Sequence, residues 1–526
     1  MILGQTTTDV TQADDGERTT LDDLFRRAGV RRPNAPALID PPNRQSFTDG
    51  APRRLTFAEA DRMVSAIAGR LRRLNLPQDS IVAVQLPSTV EYVLTLLGVL
   101  RAGLIASPLP LLWRSADMVA ALSLIGAKAL ITCARAGDIN HCELAMTVAA
   151  DVFPIRYVCA FGDDIPDGIV PLNDLYTIDQ LDPLPPVERA ANPATHVAVI
   201  TWDIDAEGPI PVARSHGELI AGGVAVHNES RIEPDAEILS TFALSSFAGL
   251  SLSIVPWLIA GGTLVLHQPF DPAVLAAQRA QHPCSAIIVP GPLVVRLADA
   301  GLLDGRDSLK TVIAAWRGPE RVEVSPNWNK ADVALVDVYL FGEAGLAPTR
   351  RHAGGQPVSL AIGPLTAPRV TPHGVLVAEL GRTEAGRFAM RGPMVPRHPF
   401  PPGIERTGAP CFKVAADGFV DTGYTCRLDR DSGALMVTRP PTGVISVGGY
   451  RFLLRELHTL LARLEPIGSL TALPDALGGH RLAGTAADRA AVQRELVALG
   501  INPLVAGAFR ERHAADQLPG AHASAA

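Results

Sequence analysis

The chain has 526 residues, 47% of them apolar, which is enough to bury several hydrophobic cores in two or three domains. Its 47 basic and 54 acidic residues give a net charge of −7, which disfavours nucleic acid as a partner. The six cysteines form neither a Cys-x-x-Cys pair nor a zinc-binding spacing, and the first 20 residues are polar and acidic, unlike a secretory signal. We therefore expect a soluble globular protein with reduced structural thiols, located in the cytoplasm.

The first predicted element is an amphipathic helix over Thr56–Leu74. Its apolar residues repeat at helical spacing, and Thr56 with Glu59 has the pattern of a capping box. The apolar run Ile81–Leu86 follows and predicts a strand.

A second helix is predicted to open at Ser88 with Glu91 and to continue from Val90 to Leu100, before a short strand at Ala129–Thr132. A strand, a helix and a strand at this spacing predict a parallel sheet covered by helices. The fold class is therefore α/β, with parallel-rich sheets in a large N-terminal domain.

The stretch after the strand His196–Ile200 carries the most informative motif. It resembles T-S-G-T-T-G-x-P-K-G-V-x-x-T-H, the signature of the AMP-binding acyl-CoA synthetases and related ligases. Four positions of that signature are kept: Pro209, Val212, Ser215 and His216. The resemblance places Thr201 and Gly208 at the cofactor and gives His216 a supporting catalytic role.

Other positions of the same motif depart from the family. A phosphate loop relies on free backbone N–H groups and a lysine, but Ile210 stands at the lysine and Gly208 is the only glycine between Thr201 and His216. Asp203, Asp205 and Glu207 add negative charge, and one carboxylate about 5 Å from a phosphate charge costs roughly 3 kcal/mol at an effective dielectric constant near 20. A degraded ATP loop and an ordinary acidic surface loop both remain open.

Three further landmarks of the family follow in the expected order. In Ala243–Leu250, Ser246 stands where relatives often have a histidine near the acyl group, and in Ala314–Pro319, Trp316 replaces a small turn against adenine. The third, Tyr339–Glu343, resembles Y-G-x-T-E. The resemblance places Tyr339 at the cofactor and makes Glu343 a catalytic residue and Mg²⁺ ligand, while a buried or capping glutamate is the alternative interpretation.

The ribose and hinge motifs are also altered. Tyr424 replaces the aspartate that binds the ribose hydroxyls in relatives, and a phenol cannot supply two carboxylate oxygens. The stretch Arg439–Ile445 resembles the hinge motif G-R-x-x-D-x-I, with two prolines stiffening the approach. Arg439 is predicted to reach a ribose or phosphate.

The stretch Ile445–Phe452 is similar to the glycine turn that opens the C-terminal domain in this family. There the turn faces the pantetheine channel of CoA, which implies that Gly448 and Gly449 border the thiol. A tight hairpin before a helix explains both glycines without CoA.

Lysine usage bears on the chemistry, because the family's adenylation step relies on a lysine near the C-terminal end. The chain has four lysines, none after Lys413. Arg510 and Arg512 could supply positive charge, although guanidinium does not replace a compact ammonium. Losing one preorganised transition-state contact typically costs about 3–4 kcal/mol.

One apolar segment resembles a membrane span, and the C-terminal tail is rich in small residues. Leu244–Leu266 is long and apolar, but it contains Pro256, Gly261 and Gly262 and is interpreted as a helix, turn and strand of the core rather than a membrane span. The small-residue tail Ala514–Ala526 is predicted to be disordered.

The resemblance covers essentially the whole chain. It implies an N-terminal AMP-binding-like domain over 1–437, a hinge over 438–443, a small α+β C-terminal domain over 444–512 and a tail over 513–526. The implied function is an AMP-forming acid–thiol ligase that uses ATP, Mg²⁺ and CoA on a small carboxylic acid or acyl thioester, with ATP-dependent activity weakened or lost. A non-catalytic acyl- or CoA-binding regulatory homologue is the alternative.

Overall fold

The computed structural model describes residues 18–177, 184–189, 191–205, 208–305, 308–352, 354–367, 375–464, 468–475 and 479–510. Its contacts divide the chain into two compact units, 1–111 with 119–442 and 112–118 with 443–526. The division after Thr442 falls inside the segment predicted as a hinge, and hinge motion stays a prediction. Arg512 and the tail Ala514–Ala526 lie outside the described residues.

The helices are numbered in chain order. They are α1 Leu21–Arg31, α2 Phe57–Arg73, α3 Val90–Arg101, α4 Ser115–Ile125, α5 His141–Asp151, α6 His216–Glu229, α7 Phe247–Gly249, α8 Val255–Ala260, α9 Pro272–Gln281, α10 Val294–Asp299, α11 Leu454–Leu461, α12 Arg489–Ala498 and α13 Pro503–Ala506.

The strands are numbered in the same way. They are β1 Pro36–Ile39, β2 Arg54–Thr56, β3 Ile81–Val84, β4 Ile105–Pro108, β5 Ala129–Cys133, β6 Arg135–Ala136, β7 Ile139–Asn140, β8 Tyr157–Phe161, β9 Val170–Pro171, β10 Val197–Asp205, β11 Gly208–Ser215, β12 Glu237–Ser240, β13 Thr263–Leu266, β14 Ala286–Pro290, β15 Thr311–Trp316, β16 Ala334–Phe341, β17 Gly345–Arg350, β18 Leu360–Ala361, β19 Gly363–Ala367, β20 Val375–Arg382, β21 Arg387–Arg391, β22 Val420–Leu428, β23 Ala434–Arg439, β24 Val444–Val447, β25 Tyr450–Leu453, β26 Gly468–Asp475 and β27 Gly479–Ala486.

Within the described residues, the larger unit contains two parallel-rich sheets. Their strand orders are β17-β16-β15-β14-β12-β13-β1-β2 and β11-β10-β4-β3-β5-β8-β9. Only β2, β17 and β11, all at sheet edges, pair antiparallel in these two sheets. An antiparallel sheet, β18-β23-β22-β21-β20-β19, and the small β6-β7 ribbon complete the unit. The predicted α/β class with parallel-rich sheets is confirmed.

The smaller unit is built around the antiparallel sheet β25-β24-β27-β26, with α11, α12 and α13 in the same unit. Its core is made of apolar side chains from these strands and helices, including Leu457, Leu482, Val492 and Phe509. This is the α+β arrangement predicted for the C-terminal part of the chain.

The start of α2 matches its prediction. Thr56 is the N-cap residue, its hydroxyl accepts from the Glu59 N–H at 3.2 Å, and the Glu59 carboxylate accepts from the Thr56 N–H at 2.8 Å. The capping box is therefore confirmed.

The predicted start of α3 at Ser88 with Glu91 is wrong. The N-cap residue is Thr89, and the Ser88 N–H donates to the Gln268 side chain at 2.6 Å. Glu91 instead accepts from the Arg44 guanidinium at 2.9 Å and from the Tyr176 hydroxyl at 2.7 Å. A buried carboxylate gains more from a guanidinium than from the cap of its own helix.

The apolar stretch Leu244–Leu266 forms α7, a π-helical turn at 250–254, α8 and the buried strand β13, with Gly261 in a left-handed conformation after α8. This is the helix, turn and strand predicted for it. Among the described residues, no helix has the length and apolar character needed to cross a membrane. All six cysteines are buried free thiols, as predicted.

Candidate active site

The motif after His196 forms a paired hairpin. The predicted end of the strand at Ile200 is wrong, because β10 continues to Asp205 and pairs with β11 from Val197 opposite Ser215 to Asp205 opposite Gly208. The β-branched residues of both strands, together with Trp202 on β10, favour this pairing over an open loop. Ala206, Glu207 and the Asp205 side chain lie outside the described part of the structure.

Asp203 faces the turn between β16 and β17. One of its oxygens accepts from the Glu343 N–H at 2.7 Å and the other from the Ile204 N–H at 2.8 Å. The hairpin and the β16–β17 turn, which belong to different sheets of the same unit, are thus joined by a carboxylate. Both carboxylate oxygens of Asp203 therefore accept hydrogen bonds from main-chain N–H groups.

Glu343 is 6% exposed, and its carboxylate is also held by the protein. Oε2 accepts from the Phe247 N–H at 2.8 Å, at the start of α7. The Thr201 hydroxyl donates to the Val212 carbonyl at 3.4 Å, within the hairpin of β10 and β11. Burial raises the Glu343 pKa, and the nearby Asp203 charge raises it further. Of the two interpretations left open, this geometry matches the buried, capping glutamate.

Arg214 on β11 is fully buried beside these carboxylates. Its guanidinium donates to the carbonyls of Met394, Glu343 and Ala344, and its face lies 3.6 Å from the centre of the Phe247 ring. Burial lowers its pKa to about 10, which leaves it a cation at neutral pH.

Trp316, at the place that the resemblance gives to adenine, is 5% exposed at the end of β15. Its indole N–H donates to Asp337 Oδ1 at 2.8 Å, and Arg351 Nε donates to Asp337 Oδ2 at 2.7 Å. Gly291 lies against the indole so closely that a Cβ there would come within 2.3 Å of it. The tryptophan is therefore fixed by a buried ion pair and by a neighbour that has to be glycine.

Tyr424, at the place that the resemblance gives to the ribose aspartate, is a core side chain, 1% exposed on β22. Its ring meets Phe341 edge-on with centroids 5.6 Å apart, and Phe341 stacks on Phe388 at 4.1 Å. The Tyr424 hydroxyl donates to the carbonyl of Arg317 at 3.4 Å, and the Tyr339 hydroxyl donates to that of Val358 at 3.0 Å.

The other predicted site residues take part in a helix cap, the end of a strand and a hairpin turn. Ser246 caps α7 by accepting from the Gly249 N–H at 3.1 Å, and Arg439 ends β23 with its side chain exposed. Gly448 and Gly449, in the smaller unit, form the turn between β24 and β25 with φ of 56° and 94°. Positive φ at both positions explains the glycines as a tight hairpin turn, and their place at a thiol channel stays a prediction.

His216 begins α6, and its Nδ1 accepts from the Leu21 N–H at 3.3 Å. Burial, together with the positive charge of Arg189, lowers its pKa from 6.5 to about 3. The imidazole is therefore neutral at physiological pH and serves as an acceptor.

This lowered pKa predicts a specific pH dependence of stability. The unfolded chain binds a proton at His216 between pH 6.5 and about 3, whereas the folded protein does not. His216 therefore contributes its full stabilisation above pH 6.5 and loses it as the pH falls, by about 1.4 kcal/mol per pH unit. In urea titrations from pH 7 to 5, the stability difference between wild type and His216→Gln should shrink with falling pH. A difference that stays constant over this range would contradict the assignment.

The sequence missed Arg214, Asp337 and Arg351 as site-forming residues. Arg214 had a usable signal, because it shares an alternating strand phase with the buried residues Ile210 and Val212. Asp337 lies in an apolar strand, where an isolated charge indicates a buried partner. The identity of each partner could not be read from spacing.

Comparisons with known proteins agree with this fold. The family model of the AMP-binding enzymes matches residues 25–202. The feruloyl-CoA synthase of an Amycolatopsis species is 26% identical over 408 residues, 75% of each chain, and the sulfoacetate–CoA ligase of Cupriavidus necator is 23% identical over 498 residues, 91% of this chain and 90% of that protein. The amide bond synthetase McbA from Marinactinospora thermotolerans superposes with a TM-score of 0.70 at 18% identity, covering 93% and 94% of the two chains.

The fold defines an enzyme-like two-unit protein with parallel-rich α/β sheets and a small α+β unit. Together with the family-model match over residues 25–202 and the relatives, this fold makes the chain similar to the enzymes of the adenylate-forming superfamily. Members of this family generally use ATP, Mg²⁺ and CoA with small-molecule acids.

Proposed function

We propose that this protein is an acid–thiol ligase homologue in which ATP-dependent acyl activation is weakened or lost. The observation that carries the proposal is the closed contact between Asp203 and Glu343: both carboxylates accept hydrogen bonds from the protein's own main chain. In a working site of this family, the surrounding groups would be free for phosphate and Mg²⁺.

The main-chain pairing of the segment that resembles the phosphate loop supports the proposal. Residues 197–205 and 208–215 are paired with each other as strands, so amides of the motif that bond across the ladder are not free to surround a phosphate. Ile210, in the lysine's place, is buried and opposite Asp203. Asp203 adds a negative charge where a triphosphate would need positive charge.

The side chains at the places that the resemblance gives to adenine and ribose also support the proposal. Trp316 is held by Asp337 in the place that the resemblance gives to adenine, and Tyr424 is packed on Phe341 in the place of the ribose aspartate. Both side chains are almost fully buried. Moving them aside for a nucleotide would break a buried indole hydrogen bond and open an aromatic contact.

Mg²⁺ does not fit the residues present. Among the described residues, no three His, Cys, Asp or Glu side chains converge, and the carboxylate of Glu343, the predicted Mg²⁺ ligand, already accepts from the Phe247 N–H. Both Asp203 oxygens also accept main-chain hydrogen bonds, from the N–H groups of Glu343 and Ile204. We derive no catalytic step through a metal at this site.

CoA stands apart from ATP in this proposal, because none of the substituted residues above belongs to its predicted channel at Gly448 and Gly449. The two curated relatives are named for CoA thioesters, which makes CoA or an acyl-CoA the first ligand to test. Binding of such a ligand without ATP chemistry is the alternative function, a regulatory or acyl-binding homologue.

Calorimetric titrations with Mg·ATP, AMP and CoA, each alone, test the proposal. We expect no heat of binding for Mg·ATP or AMP at ligand concentrations up to the millimolar range. Micromolar affinity for Mg·ATP would contradict the proposal. Binding of CoA without detectable binding of ATP would favour the ligand-binding alternative. No detectable binding of any of the three ligands would direct the search to protein partners.

A further inference from the structure

The chain enters the smaller unit twice. Besides 443–526, this unit includes the segment 112–118, which lies far earlier in the sequence and is joined at both ends to residues of the larger unit. Helix α4 begins inside this segment, at Ser115, and continues into the larger unit from Val119. We call the segment 112–118 the strap.

The strap meets the rest of the smaller unit at Gly500, which follows the last turn of α12. The Gly500 N–H donates to the carbonyl of Val497 at 3.0 Å and so closes the end of α12. Its carbonyl accepts from the Ala116 N–H at 3.4 Å. Because the first N–H groups of a helix have no partner within it, the end of α12 supplies an acceptor that α4 itself lacks.

Position 500 has two separate reasons to be glycine. Its φ is 65°, a left-handed conformation that glycine adopts without strain. A Cβ at this position would also lie 1.9 Å from Ser115 Oγ and 3.2 Å from Ser115 Cβ. The first reason concerns only the turn after α12, whereas the second depends on the strap being docked against it.

The strap has an ordered turn of its own. The Arg114 N–H donates to Asp117 Oδ2 at 3.2 Å, and the Met118 N–H donates to the Arg114 carbonyl at 2.9 Å. Trp113 and Met118 are buried. The bond from Ala116 to Gly500 is longer than most N–H···O bonds, so the strap has a stable local shape and a docking contact that can open.

We propose that the strap is a conformational restraint, docked on Gly500, that has to release before the chain turns at the predicted hinge 438–443. The reason is connectivity, because the chain passes between the two units after Leu111, after Met118 and after Thr442. Movement at the last of these passages pulls on the first two unless the contact at Gly500 opens. The proposal involves neither nucleotide nor CoA, so it stands or fails independently of the proposed function.

Hydrogen exchange of the full-length protein, followed by mass spectrometry, tests the proposal with the variant Gly500→Ala. We expect the amides of the strap and of 438–443 to exchange roughly tenfold faster than in wild type, because the added methyl group separates Ser115 from the end of α12. Gly433→Ala is the matched control: its φ is 72°, but its Cβ would meet nothing within 4 Å. It should leave both segments at wild-type rates, and circular dichroism checks that each variant is folded.

A second change separates the strap contact from the turn. Ser115→Gly added to Gly500→Ala removes the close approach and should return exchange towards the wild-type rates. Failure of this rescue would mean that the strained turn alone causes the effect, which would overturn the proposal. Unchanged exchange in folded Gly500→Ala, or faster exchange in the strap without any change at 438–443, would overturn it as well.

The wild-type protein offers a test that does not depend on the folding of a variant. If release of the strap and opening of the hinge are one event, low concentrations of urea should accelerate exchange in the strap and in 438–443 to the same degree. Different urea dependences in the two segments would show that they open separately and would contradict the proposal.

Discussion

Replacing Arg214 with methionine is expected to lower the free energy of unfolding by several kcal/mol, because three buried carbonyls lose hydrogen bonds from a charged donor, each worth about 1.5–3 kcal/mol. Methionine has a similar length and keeps the contact with Phe247, so the main loss is the positive charge and the hydrogen bonds to three carbonyls. The Asp203, Glu218 and Glu343 carboxylates would then remain without their nearby cation. Urea unfolding followed by tryptophan fluorescence measures the effect, because four of the five tryptophans lie in the larger unit.

A double-mutant cycle separates the charge from the packing. If the loss comes mainly from unbalanced carboxylates, Arg214→Met combined with Glu343→Gln should be more stable than the sum of the two single changes predicts. The exposed Arg54→Met control should change stability by less than about 0.5 kcal/mol. Strict additivity of the two changes would show that Arg214 acts through its carbonyl contacts alone.

Restoring the family's residues with Ile210→Lys and Tyr424→Asp is expected to leave the protein unable to form an acyl adenylate and to destabilise it. Ile210 is 6% exposed and Tyr424 packs against Phe341, so both changes place a charge in the core. Each unpaired buried charge costs several kcal/mol unless it becomes neutral. Trapping of acyl adenylate with hydroxylamine, over a panel of carboxylic acids, measures the activity.

The reason for expecting no rescue lies elsewhere in the chain. Trp316 still occupies the place that the resemblance gives to adenine, and no lysine follows Lys413, so a transition-state contact worth about 3–4 kcal/mol remains missing. The variants Ile210→Met and Tyr424→Phe are matched controls that keep the core apolar and should cost less than about 1.5 kcal/mol each. Hydroxamate formation by the double variant would contradict the conclusion that the missing C-terminal lysine prevents adenylation.

Local patterns predicted the parts of this structure that depend on near neighbours. The Thr56 and Glu59 capping box was readable because its two residues are three apart on one helix. The same pattern at Ser88 and Glu91 failed because Glu91 binds Arg44 and Tyr176, which lie 47 and 85 residues away. Sequence spacing carries no information about such distant partners.

The candidate site shows the same limit. Its substitutions, such as Trp316 and Tyr424, were visible in the order of the family motifs, and their doubtful fit to a nucleotide followed from size and chemistry. The contact of Asp203 with Glu343 joins residues 140 apart and two different sheets, so only the folded chain brings them together. Asp203 was therefore interpreted as a charge facing phosphate, whereas it caps a main-chain N–H.

The central claim is that the protein's own side chains occupy the places where a nucleotide would bind. Exchange of labelled pyrophosphate into ATP tests it most directly, because this exchange requires ATP binding and reversible adenylate formation, but no thiol. With purified wild-type protein, Mg²⁺ and a broad panel of carboxylic acids, the account predicts no exchange above the rate without protein. Acid-dependent exchange would contradict it and would mean that the contacts of Trp316, Tyr424 and Arg214 open to admit ATP.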